Sequence, residues 1–406
     1  MGEQITTGTR RKPAVLGPFI QDFQAHVLSL GYTPGSTRGM LKVVGQLGRW
    51  LADQHLQVAD FSEALIEPFI HDRKAAGYRQ VQHRRVFMLL LNFLRDQGAV
   101  PAIVDIPSSE LDIFMELYRN WLVNTRGLAA TTVLRYVNLA RRFLTEPGSS
   151  GLSMINLQAL RGGDVSDFLM AEVSRVSLGA ARGRVAELRS LLRYLQSQDL
   201  VQGDLAASVP SVAGWHAAGL PDSLSAADVQ KLLDSCDGTR KSDPRDGAIL
   251  ALLARLGLRS VEVAGLLLDD IDWSAGEIWV RGKGRRGDRL PLPTDVGEAL
   301  VQYVMHHRPT TDARQVFFTE RAPRKPIAPD LVSDVVRRAC RRSGLAVVGA
   351  HQLRHALATD LLAHDVSLLE ISQVLRHRDL ATTAVYAKVD LLSLRSVAAQ
   401  WPGDQR

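Results

Sequence analysis

The sequence predicts a mainly α protein of the α+β class: two small helical bundles in tandem, then a larger, mostly helical region with a small antiparallel sheet. Three observations carry this. Apolar residues recur at helical spacing along most of the chain, as in Phe19, Phe23, Val27 and Leu30. The order of helices in the first hundred residues comes round again in the second hundred, with proline-bearing linkers after each set. Only one stretch alternates like a hairpin, Glu277–Arg281 against Arg289–Leu292 across a glycine-rich turn. A chain of 406 residues has room for two or three domains.

Taken in order, residues 1–17 read as a disordered basic N-terminus carrying Arg10, Arg11 and Lys12. The first bundle spans 18–98. Its first helix stops at Gly31, and its second runs from about Ser36 to Leu51. The apolar face of that second helix is Leu41, Val44, Leu47 and Leu51, and the opposite face carries Arg38, Lys42 and Arg49. Further helices are expected around Ser62–Ala76 and Gln80–Gln97, followed by a linker over 99–110. The second bundle spans 111–205. Phe114, Leu117, Trp121 and Leu122 define its first helix, and Val133, Tyr136, Val137, Ala140 and Leu144 the core of its second. The other face of that second helix carries Arg135, Arg141 and Arg142. Helices near Gly163–Ser174 and Ala180–Gln198 close it. Duplication accounts for the shared plan; two unrelated small bundles are the alternative.

A second linker covers 206–222. Ser225 and Asp228 then form a capping box that opens a helix. Helices are expected at Arg245–Leu256 and Ser260–Leu266, then the hairpin, with Val316–Phe318 as a further strand. Helices resume at Pro329–Ser343, Gln352–His364, Ser367–Leu375, Leu380–Tyr386 and Leu391–Ala399.

Composition narrows the function. Two cysteines, Cys236 and Cys340, in no CxxC spacing, fit neither a disulfide scaffold nor a zinc finger. The most apolar stretches, Phe87–Leu94 and Ala248–Leu258, are broken by Asn92 and Arg255, so no membrane span is expected. The N-terminal residues lack the apolar core of a secretory signal. The net charge of +6 favours an anionic partner. Arginine supplies 41 of the 49 basic residues, and its fork matches phosphate oxygens bidentately. High-GC codon usage gives the same bias.

Several residues in the last third are weak signals singly. Arg259 reads equally as a helix cap, and Lys283 as a turn lysine among Arg281, Arg285 and Arg286. His351 and His355 stand at metal-pair spacing, but HQLRH lacks the glutamate of HExxH. His377 and Tyr386 read equally as packed residues. Together they are specific: GLRSVEVAGLLLDDID with Arg259 and Glu262, VRGKGRRGDRLPL with Lys283, HQLRHALATDLL with His351 and Arg354, and LRHRDLATTAVYAKV with His377 and, nine residues on, Tyr386.

In this order and spacing, the blocks over about 220–390 resemble the catalytic domain of tyrosine recombinases, the phage integrase family. Residues 111–205 resemble the family's core-binding domain, and 18–98 resemble a further SAM-like copy that binds arm or flanking DNA. The resemblance implies a catalytic domain at 223–390 and a tail helix at 391–406. The ending YAKVDLLSLRSVAAQWPG resembles transposase-like members of bacterial mobile elements. One position departs from the family, which usually has glycine between the leucine and the second histidine. Here Arg376 stands there, either touching backbone phosphate or restraining the loop before Tyr386.

The resemblance implies site-specific cutting and rejoining of double-stranded DNA through a 3′-phosphotyrosyl intermediate, without metal, ATP or other cofactor. Tyr386 is the nucleophile. Arg259 and Arg354 clamp the phosphate oxygens, His351 and His377 hydrogen-bond the phosphate and manage the tyrosine proton, and Lys283 protonates the leaving 5′ oxygen. Glu262 orients Arg259. Phosphate contacts are expected from Arg135, Arg141 and Arg142 at the core site and from Arg38, Lys42 and Arg49 on flanking DNA, with Arg281, Arg285 and Arg286 on the hairpin. The implied assembly is a tetramer on two sites, with or without sister recombinases, in the bacterial cytoplasm at the nucleoid. Alternatives are a type IB topoisomerase, with the same residue set, and a catalytically silent accessory DNA-binding protein.

Overall fold

The computed structural model describes residues 15–78, 84–102, 109–145, 154–176, 178–210, 224–282 and 287–376. The chain forms two compact units: Met1–Ala102 together with Gly219–Arg406, and Ile103–Ala218. Helix dominates throughout.

The first bundle has helices α1 (Ile20–Ser29), α2 (Pro34–Asp53), α3 (Ile66–Ala75) and α4 (Arg84–Asp96). Gly31 adopts φ +83° where α1 gives way to α2, a conformation that favours glycine. Thr33 then caps α2, accepting from Ser36 N at 3.3 Å, with Pro34 in the first turn. The core is built from Phe23, Val27, Val44, Leu47, Leu51, Phe69, Phe87, Leu90 and Leu91. The buried stripe of α2 includes Met40 and Val43, while Leu41 is only half-buried, so the face is rotated slightly from the predicted one.

The second unit has α5 (Glu110–Asn124), α6 (Ala130–Thr145), α7 (Gly162–Ser174), α8 (Leu178–Ser197) and the single turn α9 (Leu205–Ser208). Phe114, Tyr118, Leu122, Val133, Val137, Phe143, Phe168 and Leu192 fill its core. Leu117, predicted to be core, is 55% exposed; Met115 and Tyr118 take the inner face of α5 instead.

The C-terminal third has α10 (Ala226–Asp234), α11 (Asp243–Leu256), α12 (Ser260–Ala264), strands β1 (Ile271–Asp272), β2 (Glu277–Arg281) and β3 (Gly287–Pro291), then α13 (Thr294–His306), α14 (Pro329–Arg342), α15 (Ala350–Ala363) and α16 (Leu368–Val374). Ser225 caps α10 by accepting from Asp228 N at 3.1 Å, as its motif predicts. Helix α11 is buried along nearly its whole length and forms the centre of the core. The sheet is antiparallel in the order β1-β2-β3, with Trp279 opposite Arg289.

Two expectations need correction. Val316–Phe318 is not a strand. All three side chains are buried, so there is no alternation, and the segment's strand-like pairing is confined to isolated bridges at Gln315 and Phe318. The third strand is the two-residue β1. Helix α13, absent from the elements expected above, packs against α11 through Val296, Leu300 and Tyr303. The predicted helices Leu380–Tyr386 and Leu391–Ala399, and the cluster Arg10, Arg11 and Lys12, lie outside the described residues.

Within the larger unit, the turn after α1 docks on the loop between α13 and α14. Arg324 N donates to Leu30 O at 2.7 Å, and a β-carbon on Gly31 would stand 2.7–2.9 Å from Arg324 Cδ, Cγ and Nε.

Candidate active site

The site begins where α11 ends. Gly257 closes the helix at φ +57°, and a β-carbon there would meet Leu375 at 2.9 Å and Leu357 at 3.0 Å. Glycine therefore lets α11, α15 and the end of α16 converge. Two residues on, Arg259 precedes α12 with extended backbone. Its N–H donates to Glu262 Oε2 at 2.8 Å, and its Nη1 to Glu262 Oε1 at 2.7 Å. One carboxylate thus caps the helix start and aims the guanidinium. The Arg259 side chain stays 39% exposed, while that of Glu262 is 3% exposed. Burial pushes the Glu262 carboxyl up, but the Arg259 backbone N–H and the guanidiniums of Arg376 and Arg259 outweigh it, leaving its pKa below the ordinary value.

Arg354 rises from α15 into the same place. It is 1% exposed. Its Nη1 donates to Gly257 O and its Nη2 to Leu375 O, so it ties the end of α11 to the end of α16. Arg259 Nη2 donates to the next carbonyl along, Arg376 O, at 3.4 Å. The two guanidiniums, from segments far apart in sequence, therefore address consecutive carbonyls.

His351 occupies the first turn of α15, at the surface. Loss of surrounding water lowers its pKa, and the positive charges of Arg354 and Arg259 lower it further. His355, one turn on, lies with its ring centre 4.4 Å from that of His351 in edge-on contact. Burial first, then His351 and Arg354, push the pKa of His355 down to about 4. Close to neutral pH this face holds two permanent cations and neutral imidazoles, a setting suited to an anion that must be polarised and to short proton transfers. No group of acidic, histidine and cysteine side chains able to hold a metal occurs among the described residues.

Arg259, Glu262, His351 and Arg354, drawn from two separate sequence blocks, are thus brought together. Lys283, Arg285, Arg286, His377 and Tyr386 lie outside the described residues. Two residues that adjoin the site were not assigned from sequence. His355 is visible only as a second histidine in HQLRH. Arg376 stands out in sequence as a departure from the family pattern, but not as the second guanidinium on Glu262, which it binds through Nη2 at 2.8 Å.

The residues expected to touch DNA divide into two groups. Arg38, Lys42 and Arg49 lie exposed on α2 and form no ion pair among the described residues. Arg135, Arg141 and Arg142 on α6 each engage a carboxylate of their own bundle. Arg135 reaches Glu187 at 2.6 Å, Arg141 reaches Asp112 at 2.9 Å, and Arg142 forks onto Glu172 at 2.8 Å and 3.2 Å. Arg184 joins the two buried glutamates, at 2.8 Å from Glu187 and 3.5 Å from Glu172. On β2, Arg281 pairs with buried Asp270 at 2.7 Å.

Comparison with known proteins identifies the family. The phage integrase family matches residues 222–391. The chain is 38% identical over 395 residues to y4rA of Sinorhizobium fredii, provisionally described as an integrase/recombinase, with 95% of this chain and 94% of that protein covered. It is 33% identical over 314 residues to tyrosine recombinase XerD of Mycobacterium tuberculosis, covering 72% of this chain and 97% of that protein. Among solved structures, XerH site-specific recombinase bound to difH substrate superposes with a TM-score of 0.53 at 18% identity, over 74% of this chain and 98% of that one. A lambda integrase bound to a core site gives 0.51 at 16% identity, over 68% and 94%. These last two agree in fold. The chain belongs to the phage integrase family and is a tyrosine recombinase, an enzyme that cuts and rejoins DNA through a covalent protein–DNA link.

Proposed function

We propose that this recombinase serves a bacterial mobile element, in the manner of a transposase, and that Arg259, Lys283, His351, Arg354, His377 and Tyr386 carry its chemistry on duplex DNA. The observation that supports this best is the convergence of Arg259 and Arg354 on consecutive carbonyls, beside His351. In the proposed step the Tyr386 oxygen attacks the scissile phosphorus and loses its proton to a histidine. The bond from phosphorus to the 5′ oxygen breaks, and that oxygen takes a proton from Lys283. The phosphotyrosyl ester keeps the energy of the broken bond, so religation reverses the step without ATP. A phenol near pKa 10 is a weak nucleophile, so most of the acceleration falls to charge stabilisation by the two guanidiniums.

Phosphate recognition follows two patterns. Arg38, Lys42 and Arg49 offer forks and an ammonium to flanking DNA. On α6, Arg135 and Arg142 are held by buried glutamates but keep 60% and 36% of their side chains exposed, which presents their remaining N–H groups outward. With Arg184 this cluster carries more arginines than carboxylates, so its net charge favours a phosphate. The structurally similar XerH was solved on its DNA substrate, which is consistent with a duplex as partner. The assembly we propose is a tetramer on two sites.

Covalent trapping tests the reading. Nicked duplexes spanning the ends of the element around this gene are incubated with the protein, without metal or ATP, and resolved on a denaturing gel. The wild-type chain is expected to leave an adduct, and Tyr386→Phe to bind equally well and leave none. An adduct from Tyr386→Phe overturns the choice of nucleophile.

A further inference from the structure

One charged side chain beside the site takes no part in the scheme above. Arg376 follows α16 at φ +54°. Side chains are crowded in this left-handed region, which is why glycine is favoured there. An arginine at such a position calls for a compensating contact, and the structure supplies one. Its Nη2 lies 2.8 Å from Glu262 Oε2, with the side chains 7% and 3% exposed. Its Nη1 donates to Val374 O at 3.3 Å, which braces the turn from within.

The contacts close into a ring of three residues. Arg259 Nη1 donates to Glu262 Oε1 at 2.7 Å, Arg376 Nη2 holds the other oxygen of that carboxylate, and the Arg376 carbonyl accepts from Arg259 Nη2 at 3.4 Å. Both terminal nitrogens of Arg259 are therefore aimed at groups that Arg376 places. The preceding carbonyl, Leu375 O, accepts from Arg354. A two-residue turn thus reaches both guanidiniums of the proposed clamp, immediately ahead of His377 in the chain.

We infer that Arg376 is a positioning residue for strand cleavage: acting through Glu262, its guanidinium fixes the aim of Arg259 and holds the turn that leads into His377. A direct contact with backbone phosphate, the other role open to an arginine here, does not suit a side chain 7% exposed and already committed to a buried carboxylate. The inference rests on Arg259 being a phosphate clamp.

The test uses the full chain and a pool of nicked duplexes randomised across their centre. Single-turnover adduct formation and binding by mobility shift are measured on the same pool. Arg376→Gly, Arg376→Ala and Arg376→Lys are made in the wild-type and Glu262→Gln backgrounds. Glycine relaxes the left-handed backbone while removing the guanidinium, so this variant keeps the fold and isolates the tether. Arg376→Gly and Arg376→Ala are expected to slow adduct formation about tenfold or more with binding unchanged. Arg376→Lys is expected to recover part of the rate. In Glu262→Gln the same changes are expected to add no more than about twofold, the signature of residues acting as one unit. A wild-type rate for Arg376→Gly, full additivity with Glu262→Gln, or a loss of binding that accounts for the slower rate overturns the inference. Failure of the inference alone shows as adducts from the wild type, none from Tyr386→Phe, and wild-type behaviour from Arg376→Gly. Absence of any adduct from the wild type on the pool overturns the underlying reading and the inference with it.

Discussion

Arg259 and Arg354 have the same charge and very different surroundings. Arg259 is partly open to solvent and steered by one carboxylate, whereas Arg354 is enclosed and held by backbone carbonyls. Replacing either by alanine is expected to slow covalent cleavage about 10²–10³-fold, the loss seen when one donor to a developing oxyanion is removed. Adduct formation over time on trapped substrate measures this. Arg354→Ala is also expected to lower the melting temperature more than Arg259→Ala, because it strips partners from two buried carbonyls. His355 adds a pH dependence. Its folded pKa of about 4 lies below the ordinary histidine value, so the unfolded chain binds the extra proton first. Its contribution is present above about pH 6.5 and is lost as pH falls toward 4. Thermal melts across that window are expected to fall, and His355→Gln to flatten the fall. At this scale the gathering of Arg259, Glu262, His351 and Arg354 in one place was legible, because the motif blocks that carry them keep a set order and spacing in sequence. The Arg376–Glu262 pair was not, since the φ of one residue and the direction of a long side chain leave no periodic trace.

Among elements, α2 and α6 read alike in sequence, each with an apolar stripe opposite a basic one. The fold separates them. On α2 the basic side chains have no carboxylate partner among the described residues, while those of α6 are already matched to carboxylates of neighbouring helices. Periodicity shows which residues leave the core, but not what they meet outside it, because Glu172 and Glu187 come from distant segments. Changing Arg38, Lys42 and Arg49 together to alanine is therefore expected to flatten the salt dependence of DNA binding by about 0.9 in log–log slope for each phosphate no longer neutralised. Titrations at several salt concentrations, with an unchanged melting temperature, measure it. Helix positions were largely legible, since caps such as Ser225 and stops such as Gly31 act locally. The third strand and α13 were not. A two-residue strand carries no pattern of its own, and the consecutive buried side chains of 316–318 look like a strand until their neighbours are known.

For the molecule as a whole, the helical plan and the one small sheet among the described residues could be read from sequence, but the grouping of the first bundle with the C-terminal third could not. That grouping depends on contacts between a turn near residue 31 and a loop near residue 324, which no local signal announces. The proposed tetramer makes a prediction at this scale. Deleting residues 390–406 is expected to abolish or weaken pairing of two DNA sites while sparing binding to one, measured by native gel and light scattering. In the tetramer we propose, the tail helix expected at 391–406 inserts into a neighbouring protomer, and unchanged pairing overturns that exchange.

The docking of Leu30 and Gly31 on Arg324 limits how the protein can be taken apart and recombined with its relatives. A chimera that exchanges residues 15–102 alone separates Arg324 from the turn whose missing β-carbon makes room for it. A side chain at position 31 meets a strained φ of +83° and displaces the Arg324 side chain, while the backbone bond from Arg324 N to Leu30 O belongs to the docked loop itself. The first bundle and the loop at 319–326 are therefore matched parts, interrupted in the gene by everything between them, and a chimera that moves both keeps the match.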